Sequence, residues 1–205
     1  MHQIPPPAPS PLELDDPSPL PEAQALEATV ARLIAQLGED VTREGLQRTP
    51  ARVARSLRFL TSGYAQDAQS VVRGALFRAE GAELVVVKGL EFYSLCEHHL
   101  LPFFGRVHIG YVPGEHILGL SKFARVVDVF ARRLQVQERL TVQVADALEG
   151  VLRPRGVGVV VEASHLCMMM RGVQQQGSST RTSVLRGVLG DPGVREEFLR
   201  AINTP

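Results

Sequence analysis

Apolar residues recur every three to four positions through the first part of the chain, which is the spacing of amphipathic helices. From Glu22 to Leu37 they share one helical face. A second helix is predicted to start at Thr49, as its cap, and Pro50, and to run to about Thr61. These segments predict a helical N-terminal region over residues 22–64.

After this region the apolar positions follow the period of two that is typical of β-strands. Arg106 to Val112 alternates apolar with polar residues, and Gly158 to Ala163 is the most strand-like run of the chain. Further strands are predicted at Leu84 to Val87, Cys167 to Gly172 and Arg181 to Leu185.

Two amphipathic helices separate the predicted strands. Ser121 caps the first, and the second runs from about Val136 to Leu152. A closing helix is predicted from Val194 to Ile202. Helices followed by a sheet that a pair of adjacent helices interrupts indicate an α+β fold, not a wound β-α-β sheet.

Composition narrows the class of protein. The 205 residues include 22 Lys plus Arg and 22 Asp plus Glu, so the net charge gives no reason to expect a nucleic-acid or membrane partner. No apolar run approaches the roughly 20 residues that span a bilayer, and the N-terminus lacks the order of a signal peptide. Two cysteines make no disulfide framework and suit a reducing compartment. We therefore expect a soluble cytoplasmic protein.

Residues 1–21 hold eight prolines among acidic and small residues. Such a segment buries too little apolar surface to offset the entropy lost on ordering it. We expect a disordered tail, and a proline segment that binds a partner is the alternative.

Two short runs contain both cysteines and three of the six histidines. Cys96 and His99 are three positions apart and share one face of a helical turn, while His98 points elsewhere. His165 and Cys167 are two apart and share one face of a strand. If the runs meet, Cys96, His99 and Cys167 suit zinc and leave a fourth position open, as catalytic zinc sites do. The alternative is that the cysteines are small buried apolar residues and the histidines are polar core residues.

A second set of candidate residues lies at the start of the helix at Ser121. A helix N-terminus has free N–H groups and a partial positive charge, and Ser121, Lys122 and Arg125 add donors, so the site could bind an anion. The alternative is an exposed basic turn. Arg171 adds a cation four residues after the second cysteine. Glu138 opens the next helix, where the dipole alone favours a carboxylate.

Four motifs together resemble the zinc-dependent GTP cyclohydrolase I family. They are Phe92 to Phe103, Gly119 to Arg125, Gln135 to Thr141 and Ser164 to Gly172, and they occur in the family's order. The similarity extends from roughly the first helix to the closing helix and leaves out the proline-rich segment. Residues 174–189 follow the pattern loosely, with Arg186 at a position where no charge is expected.

The resemblance implies a role for each matching residue. The family's zinc ligands correspond to Cys96, His99 and Cys167, and its proton-transferring histidines correspond to His98 and His165. The implied substrate contacts are Ser121, Lys122, Arg125 and Arg171 for the triphosphate, Arg52 from a neighbouring subunit for the same phosphates, and Gln137 and Glu138 for guanine.

The implied reaction is zinc-dependent hydrolysis of GTP at C8 of guanine. Formate is released, and the rest rearranges to 7,8-dihydroneopterin triphosphate, the first step of tetrahydrofolate and pterin biosynthesis. The implied fold is a tunnelling-fold domain over residues 65–205, with sheets that join between subunits into a barrel and barrels that stack into a homo-oligomer of ten chains, or of eight. A structural zinc-binding interaction module without catalysis is the alternative. It needs a fourth protein ligand, and the chain has no third cysteine, although His98 or His165 could take that place.

Overall fold

The computed structural model describes residues 21–81 and 83–204, and the chain divides between Leu57 and Arg58 into two compact units. The α-helices are α1 Pro21–Gln36, α2 Thr49–Leu60, α3 Ala68–Val72, α4 Leu120–Ala131, α5 Gln137–Leu152, α6 Leu166–Met169 and α7 Pro192–Asn203. The strands are β1 Leu76–Arg78, β2 Val85–Cys96, β3 Pro102–Val112, β4 His116–Leu118, β5 Leu134–Gln135, β6 Gly156–His165 and β7 Thr180–Gly187. Short 3-10 helices lie at Ser62–Ala65 and Val188–Gly190.

The first unit contains α1 and α2, apart from the last three residues of α2, which belong to the second unit. Both are present within about one residue of the predicted bounds. After α1 the backbone of Gly38 has φ +90, in the left-handed region that favours glycine at a helix end. Thr49 does not precede α2 as a cap. It is the first helical residue, and its hydroxyl donates to the carbonyl of Gly45 at 3.4 Å. The predicted tail lies outside the described residues, apart from Pro21, where α1 begins.

The second unit is built on a five-stranded sheet with the order β5-β2-β3-β6-β7. Neighbouring strands are antiparallel except β2 and β5, which are parallel. The helices α4 and α5 lie between β3 and β6 in the chain, as the α+β prediction requires. Strands β1 and β4 form a separate two-stranded sheet.

Strand β2 is much longer than the predicted strand at Leu84 to Val87. The pairing register with β3 shifts between Val87 and Leu90, and Gly89 has φ +75. This bulge breaks the alternation of apolar and polar positions, so the pattern no longer indicates one strand. As a result Cys96 is the last residue of a strand that starts eleven residues earlier.

Two other predictions were wrong. Residues 167–172 do not form a strand: α6 and a turn follow β6 directly. A run of apolar residues this short does not distinguish a strand from a helical turn. Ser121 does not cap α4, because the cap residue is Gly119 and the helix begins at Leu120.

The core lies on both faces of the sheet. On one face α4 and α5 pack against alternate residues of β3 and β6, which include Val107, Ile109, Val157, Val159 and Val161. On the other face α7 places Phe198 and Ile202 against Val160 and Leu189. A Cβ atom at Gly110 would lie 2.6 Å from the Phe198 ring, so the glycine admits the ring. Burial on both faces explains why β6 is almost continuously apolar.

Arg186, the unexpected charge, lies on β7 and reaches α5. Its Nη2 is 2.5 Å from Asp146 Oδ1 and its Nη1 is 2.6 Å from Glu149 Oε2. The charge therefore ties the edge strand to the helix above the sheet. Over the described residues, no helix is both long and apolar enough to cross a membrane.

Candidate functional site

The candidate site forms where several elements of the second unit end or begin. Cys96 ends β2 and pairs with Gln135 of β5, which lies two residues before the start of α5. His165 ends β6, and Cys167 follows on α6. The sheet thus brings together two motifs that are about seventy residues apart in the sequence.

The turn after β2 brings His99 back toward Cys96. The N–H of Leu100 donates to the Cys96 carbonyl at 2.8 Å, and the N–H of His99 donates to the same oxygen at 3.3 Å. Leu100 has φ 55, which ends the turn before β3 begins. The predicted helical-turn spacing of Cys96 and His99 therefore has a local structural basis.

The ligand atoms of Cys96, His99 and Cys167 all lie within 4.8 Å of one another. Both cysteines are free thiols, and Cys96 is buried whereas His99 is exposed. Zinc-to-ligand distances of 2.0–2.3 Å put the ligands of a tetrahedral ion roughly 3.3–3.8 Å apart, so small side-chain adjustments would close the group on an ion. No fourth metal-ligating side chain of the described residues joins the group. The donor set fits zinc with an open position.

Cys167 joins this group in a different way from the one predicted. It lies on α6 rather than on the same strand face as His165. Burial raises the pKa of its thiol, and the neighbouring Cys96 thiol raises it further. A bound cation would oppose both effects by favouring the thiolate, which is the metal-binding form.

His98 lies closer to the metal group than its sequence position indicates. Its Nδ1 is 3.8 Å from Cys96 Sγ, while the Nδ1 of His99 is 4.0 Å from the same sulfur. The tight turn leaves His98 near the sulfur of Cys96 but outside the group formed by the ligand atoms of Cys96, His99 and Cys167. Its Nε2 is 3.9 Å from a carboxylate oxygen of Glu97.

A cavity of about 210 Å³ adjoins the metal group. Its walls include Cys96, His98, Glu138, His165 and Cys167. The volume is below the range for drug-sized ligands, about 300–1,000 Å³, and so suits one planar base rather than a whole nucleotide. The cavity places a carboxylate and two imidazoles around any such base.

His165 is held between a ring and an amide. Its imidazole stacks on Phe103 with a centroid distance of 4.8 Å and an interplanar angle of 2°. Its Nε2 is 2.8 Å from Oε1 of Gln137. Burial lowers the pKa of His165, and the negative charge of Glu138 partly opposes that effect. The neutral imidazole is therefore favoured beside the cavity.

The side chain of Gln137 faces the protein interior. It is 1% exposed, and its Nε2 donates to the carbonyls of Val161 and Thr180, each at 3.0 Å. With Oε1 against His165, the amide has a partner on both ends. The side chain of Gln137 thus differs from that of exposed Glu138, although the resemblance gives both a guanine contact.

The predicted phosphate contacts divide into two groups. Arg171 lies at the metal group, with Nη1 3.3 Å from His99 Nε2. Ser121, Lys122 and Arg125 lie on the first turns of α4 and do not line the cavity. The Lys122 ammonium donates to the carbonyl of Val71, at the end of α3, at 2.7 Å. Arg52 belongs to the first unit, on α2.

Sequence reasoning missed three residues that support the site, namely Glu97, Arg139 and Phe103. Arg139 on α5 forms two hydrogen bonds to the carboxylate of Glu97, at 2.6 and 3.0 Å, and holds the pKa of that carboxyl below its usual range. The sequence did contain a signal for this pair, because Glu97 and Arg139 carry opposite charges and lie in two of the four motifs. Nothing in the sequence indicates that Phe103 lies under His165 or that Gln137 faces it.

The sequence matches one known family of proteins over most of its length. The family model described as GTP cyclohydrolase I matches residues 26–203. GTP cyclohydrolase 1 of Deinococcus radiodurans is 56% identical over 198 residues, covering 94% of this chain and 92% of that protein. The protein of the same name from Porphyromonas gingivalis is 52% identical over 177 residues, covering 86% and 92%. That of Chlorobium phaeovibrioides is 53% identical over 192 residues, covering 92% and 86%. The chain belongs to the GTP cyclohydrolase I family.

Proposed function

We propose that this chain is a zinc-dependent hydrolase that converts GTP into formate and 7,8-dihydroneopterin triphosphate. The observation that carries the proposal is the group of Cys96, His99 and Cys167 next to a base-sized cavity that Glu138 and His165 line. Relatives named GTP cyclohydrolase 1 share more than half of the aligned residues. The product is a pterin, so the reaction would open tetrahydrofolate and pterin biosynthesis.

Guanine suits the polar group that the cavity offers. Its N1–H and N2–H₂ groups are adjacent donors, and a carboxylate can accept from both at once. Glu138, at the first turn of α5, supplies that carboxylate. Adenine presents no such edge, so Glu138 would select the base.

Cys96, His99 and Cys167 would hold the zinc ion. Zinc in such a site lowers the pKa of water toward neutrality and so supplies a nucleophile at ordinary pH. Thiols that must stay reduced for a metal suit a reducing compartment, and we infer a cytoplasmic location. The three-ligand donor set supports a catalytic ion over a structural one, which four protein ligands would enclose.

His98 and His165 would move the protons. Hydration at C8 requires a proton at N7, and opening of the ring requires proton transfers to the departing nitrogen. His165 borders the cavity with its ring fixed by Phe103 and Gln137, and His98 lies beside the metal group. Positioned acid–base groups of this kind contribute about 10²–10⁴-fold to rate.

The triphosphate would need cations from more than one chain. Arg171 lies at the metal group, but Ser121, Lys122 and Arg125 do not line the cavity of their own chain. We infer a homo-oligomer, of ten or eight chains, in which these residues and Arg52 of a second copy reach the phosphates. Lys122 would then have to exchange its bond to the Val71 carbonyl for a phosphate oxygen.

Product analysis after incubation with GTP tests the proposal. We expect one formate per GTP consumed and a pterin triphosphate, identified by mass and by its fluorescence after oxidation. Purified protein should contain about one zinc per chain. The Cys167→Ser variant should lose both zinc and turnover. Consumption of GTP without formate release would contradict the proposed function.

A further inference from the structure

A buried hydrogen-bond network surrounds the amide of Gln137 at the base of the site. The Nε2 group has three acceptors: the carbonyls of Val161 and Thr180 at 3.0 Å and the hydroxyl of Thr182 at 3.2 Å. Thr141 donates to the carbonyl of Gln137 at 2.7 Å, so its one proton is used. The Thr182 hydroxyl, 2.6 Å from Thr141, must then donate to Thr141.

This network permits one orientation of the Gln137 amide. An exchange of Nε2 and Oε1 would point the amide oxygen at two carbonyl oxygens, from Val161 and Thr180, at 3.0 Å. Buried acceptors that face each other lose both hydrogen bonds and gain a repulsion. The hydrogen-bond partners therefore assign the NH₂ group to the interior and Oε1 to the His165 side.

The fixed amide oxygen determines which nitrogen of His165 carries a proton. A neutral imidazole has one N–H donor and one acceptor nitrogen. Oε1 of Gln137 is only an acceptor, and it lies 2.8 Å from Nε2 of His165. The hydrogen bond requires a proton on Nε2 and leaves the lone pair of the neutral ring on Nδ1. Stacking on Phe103 fixes the plane of the ring as well.

We propose that Gln137 is a positioning residue, which holds the imidazole of His165 in one plane and as the Nε2–H tautomer. The part of Gln137 in catalysis rests on the proposed function, whereas the tautomer of His165 does not.

A different role for Gln137 predicts different results when the residue is replaced. If its side chain contacted guanine, its replacement would raise KM for GTP and would leave the His165 ring unchanged. If it only filled space, a side chain of equal size would replace it without effect on either. Two measurements therefore separate the three roles: the tautomer of His165, and whether the substitution changes kcat or KM for GTP.

Gln135 offers a matched control. It is also 1% exposed and lines the same cavity, but its Nε2 donates to the Phe130 carbonyl at 3.0 Å and to Gln143 Oε1 at 2.7 Å. Exchange of Gln135 for Met removes a buried amide of the same size two residues from Gln137. The His165 tautomer should not change in this variant.

The test uses the zinc-loaded full chain with histidine labelled by ¹⁵N and ¹³C, observed by solid-state NMR. The chain has six histidines, and the signal of His165 is the one that disappears in His165→Gln. We expect the Nε2–H tautomer at His165 in the parent and in Gln135→Met. Gln137→Met should give a mixture that includes the Nδ1–H form. In its neutral form Gln137→Glu keeps an acceptor oxygen opposite Nε2 and turns an O–H donor toward the Val161 and Thr180 carbonyls, so it should retain the Nε2–H form.

Kinetics provide the second measurement. Gln137→Met should lower kcat by about 10-fold or more, a fraction of the full acid–base contribution, with little change in KM. Gln137→Glu should recover part of kcat.

An Nδ1–H tautomer of His165 in the parent, or an unchanged tautomer in Gln137→Met, would overturn the proposal. If Gln137→Met does not fold, the parent and Gln137→Glu spectra still decide. Because the spectra need no turnover, a failure of the proposed function would appear separately, as missing formate.

Discussion

At the start of α5, two adjacent side chains of similar size face different surroundings. Gln137 is buried and bonded on both ends, while Glu138 is exposed at the cavity. At the first turn of α5, the charge of Glu138 alone would stabilise the helix by about 0.3–1 kcal/mol through the helix dipole. As an acceptor for guanine it would contribute about 1.5–3 kcal/mol for each charge-assisted bond. The two roles differ enough in size to be separated by one substitution.

The Glu138→Gln variant keeps the size of the side chain and removes its charge. A role in stability alone predicts a slightly lower free energy of unfolding with turnover intact. We expect instead unchanged folding and zinc content, with kcat/KM for GTP lower by about 10-fold or more, since each lost bond of about 1.5–3 kcal/mol is worth that factor.

Inosine triphosphate tests whether Glu138 contacts the 2-amino group of guanine. It keeps N1–H and lacks that amino group, so it should be a poor substrate for the parent protein. The Glu138→Gln exchange should then reduce its kcat/KM less than that of GTP. Equal losses for the two nucleotides would contradict a contact between Glu138 and the amino group.

The sequence predicted the composition of the metal group, but not the orientation of the residues around it. Spacing sufficed for Cys96 and His99 because three residues of a helical turn fix their relation locally. The position of Cys167 next to them depends on the pairing of β6 with β3, which is a long-range contact. The inward orientation of Gln137 depends on carbonyls from β6 and from Thr180, and no local pattern contains that information.

At the scale of elements, one ion pair joins the turn that contains Cys96 and His99 to α5. Arg139 binds both carboxylate oxygens of Glu97, and both side chains remain partly exposed. Exposed ion pairs add little to stability. Residues that orient metal ligands nevertheless change metal affinity or activity by about 10–100-fold when replaced. The pair should therefore affect the site more than the fold.

The Arg139→Met variant keeps the aliphatic stem and removes both hydrogen bonds. We expect nearly the same Tm, but about 10-fold faster loss of zinc to a chelator, because the turn is no longer held against α5. The control is Arg43→Met, which breaks the exposed pair of Arg43 with Glu39, 2.7 Å long, on the first unit. A rate of zinc loss equal to that of the control would mean that the ion pair does not position the ligands.

Long elements with a regular apolar period were predicted well, and short or interrupted ones were not. The helix α5 and strand β7 lie within one or two residues of their predicted bounds. The four-residue helix α6 was predicted as a strand, since its apolar run is too short to show a period. In β2 the bulge at Gly89 interrupts the apolar period, so the eight residues before Cys96 were not predicted to belong to the strand. Each miss reflects a short-range pattern that tertiary contacts override.

At the scale of the whole molecule, the five-stranded sheet has open edges within the described residues. β7 forms one edge, and at the other β5 pairs with β2 only at Leu95 and Cys96. Open edges present N–H and C=O groups that can pair with another chain. This feature and the distribution of the basic residues both support the proposed homo-oligomer with shared sites.

Two inactive chains can test whether one site draws residues from two copies. An Arg52→Ala chain keeps its zinc ligands, and a Cys96→Ser chain keeps its Arg52. If Arg52 acts on the site of a second copy, mixed oligomers contain some sites in which both residues are intact. If Arg52 acts on its own chain, no site in the mixture is complete. The two arrangements thus predict opposite results from the same mixture.

We expect that differently tagged chains, co-expressed and purified through both tags, recover activity on GTP. Random assembly at equal amounts makes about a quarter of the sites complete when each site has one neighbour. The control mixes the parent with the Arg52→Ala, Cys96→Ser double variant. Sharing between chains again predicts about a quarter of the parent activity, because intact zinc ligands and an intact neighbour must coincide. Sites built within one chain predict about one half in the control and none in the test. Activity of about one half in the control and none in the test would exclude a role for Arg52 across subunits, even in an assembly whose sheets join at their open edges.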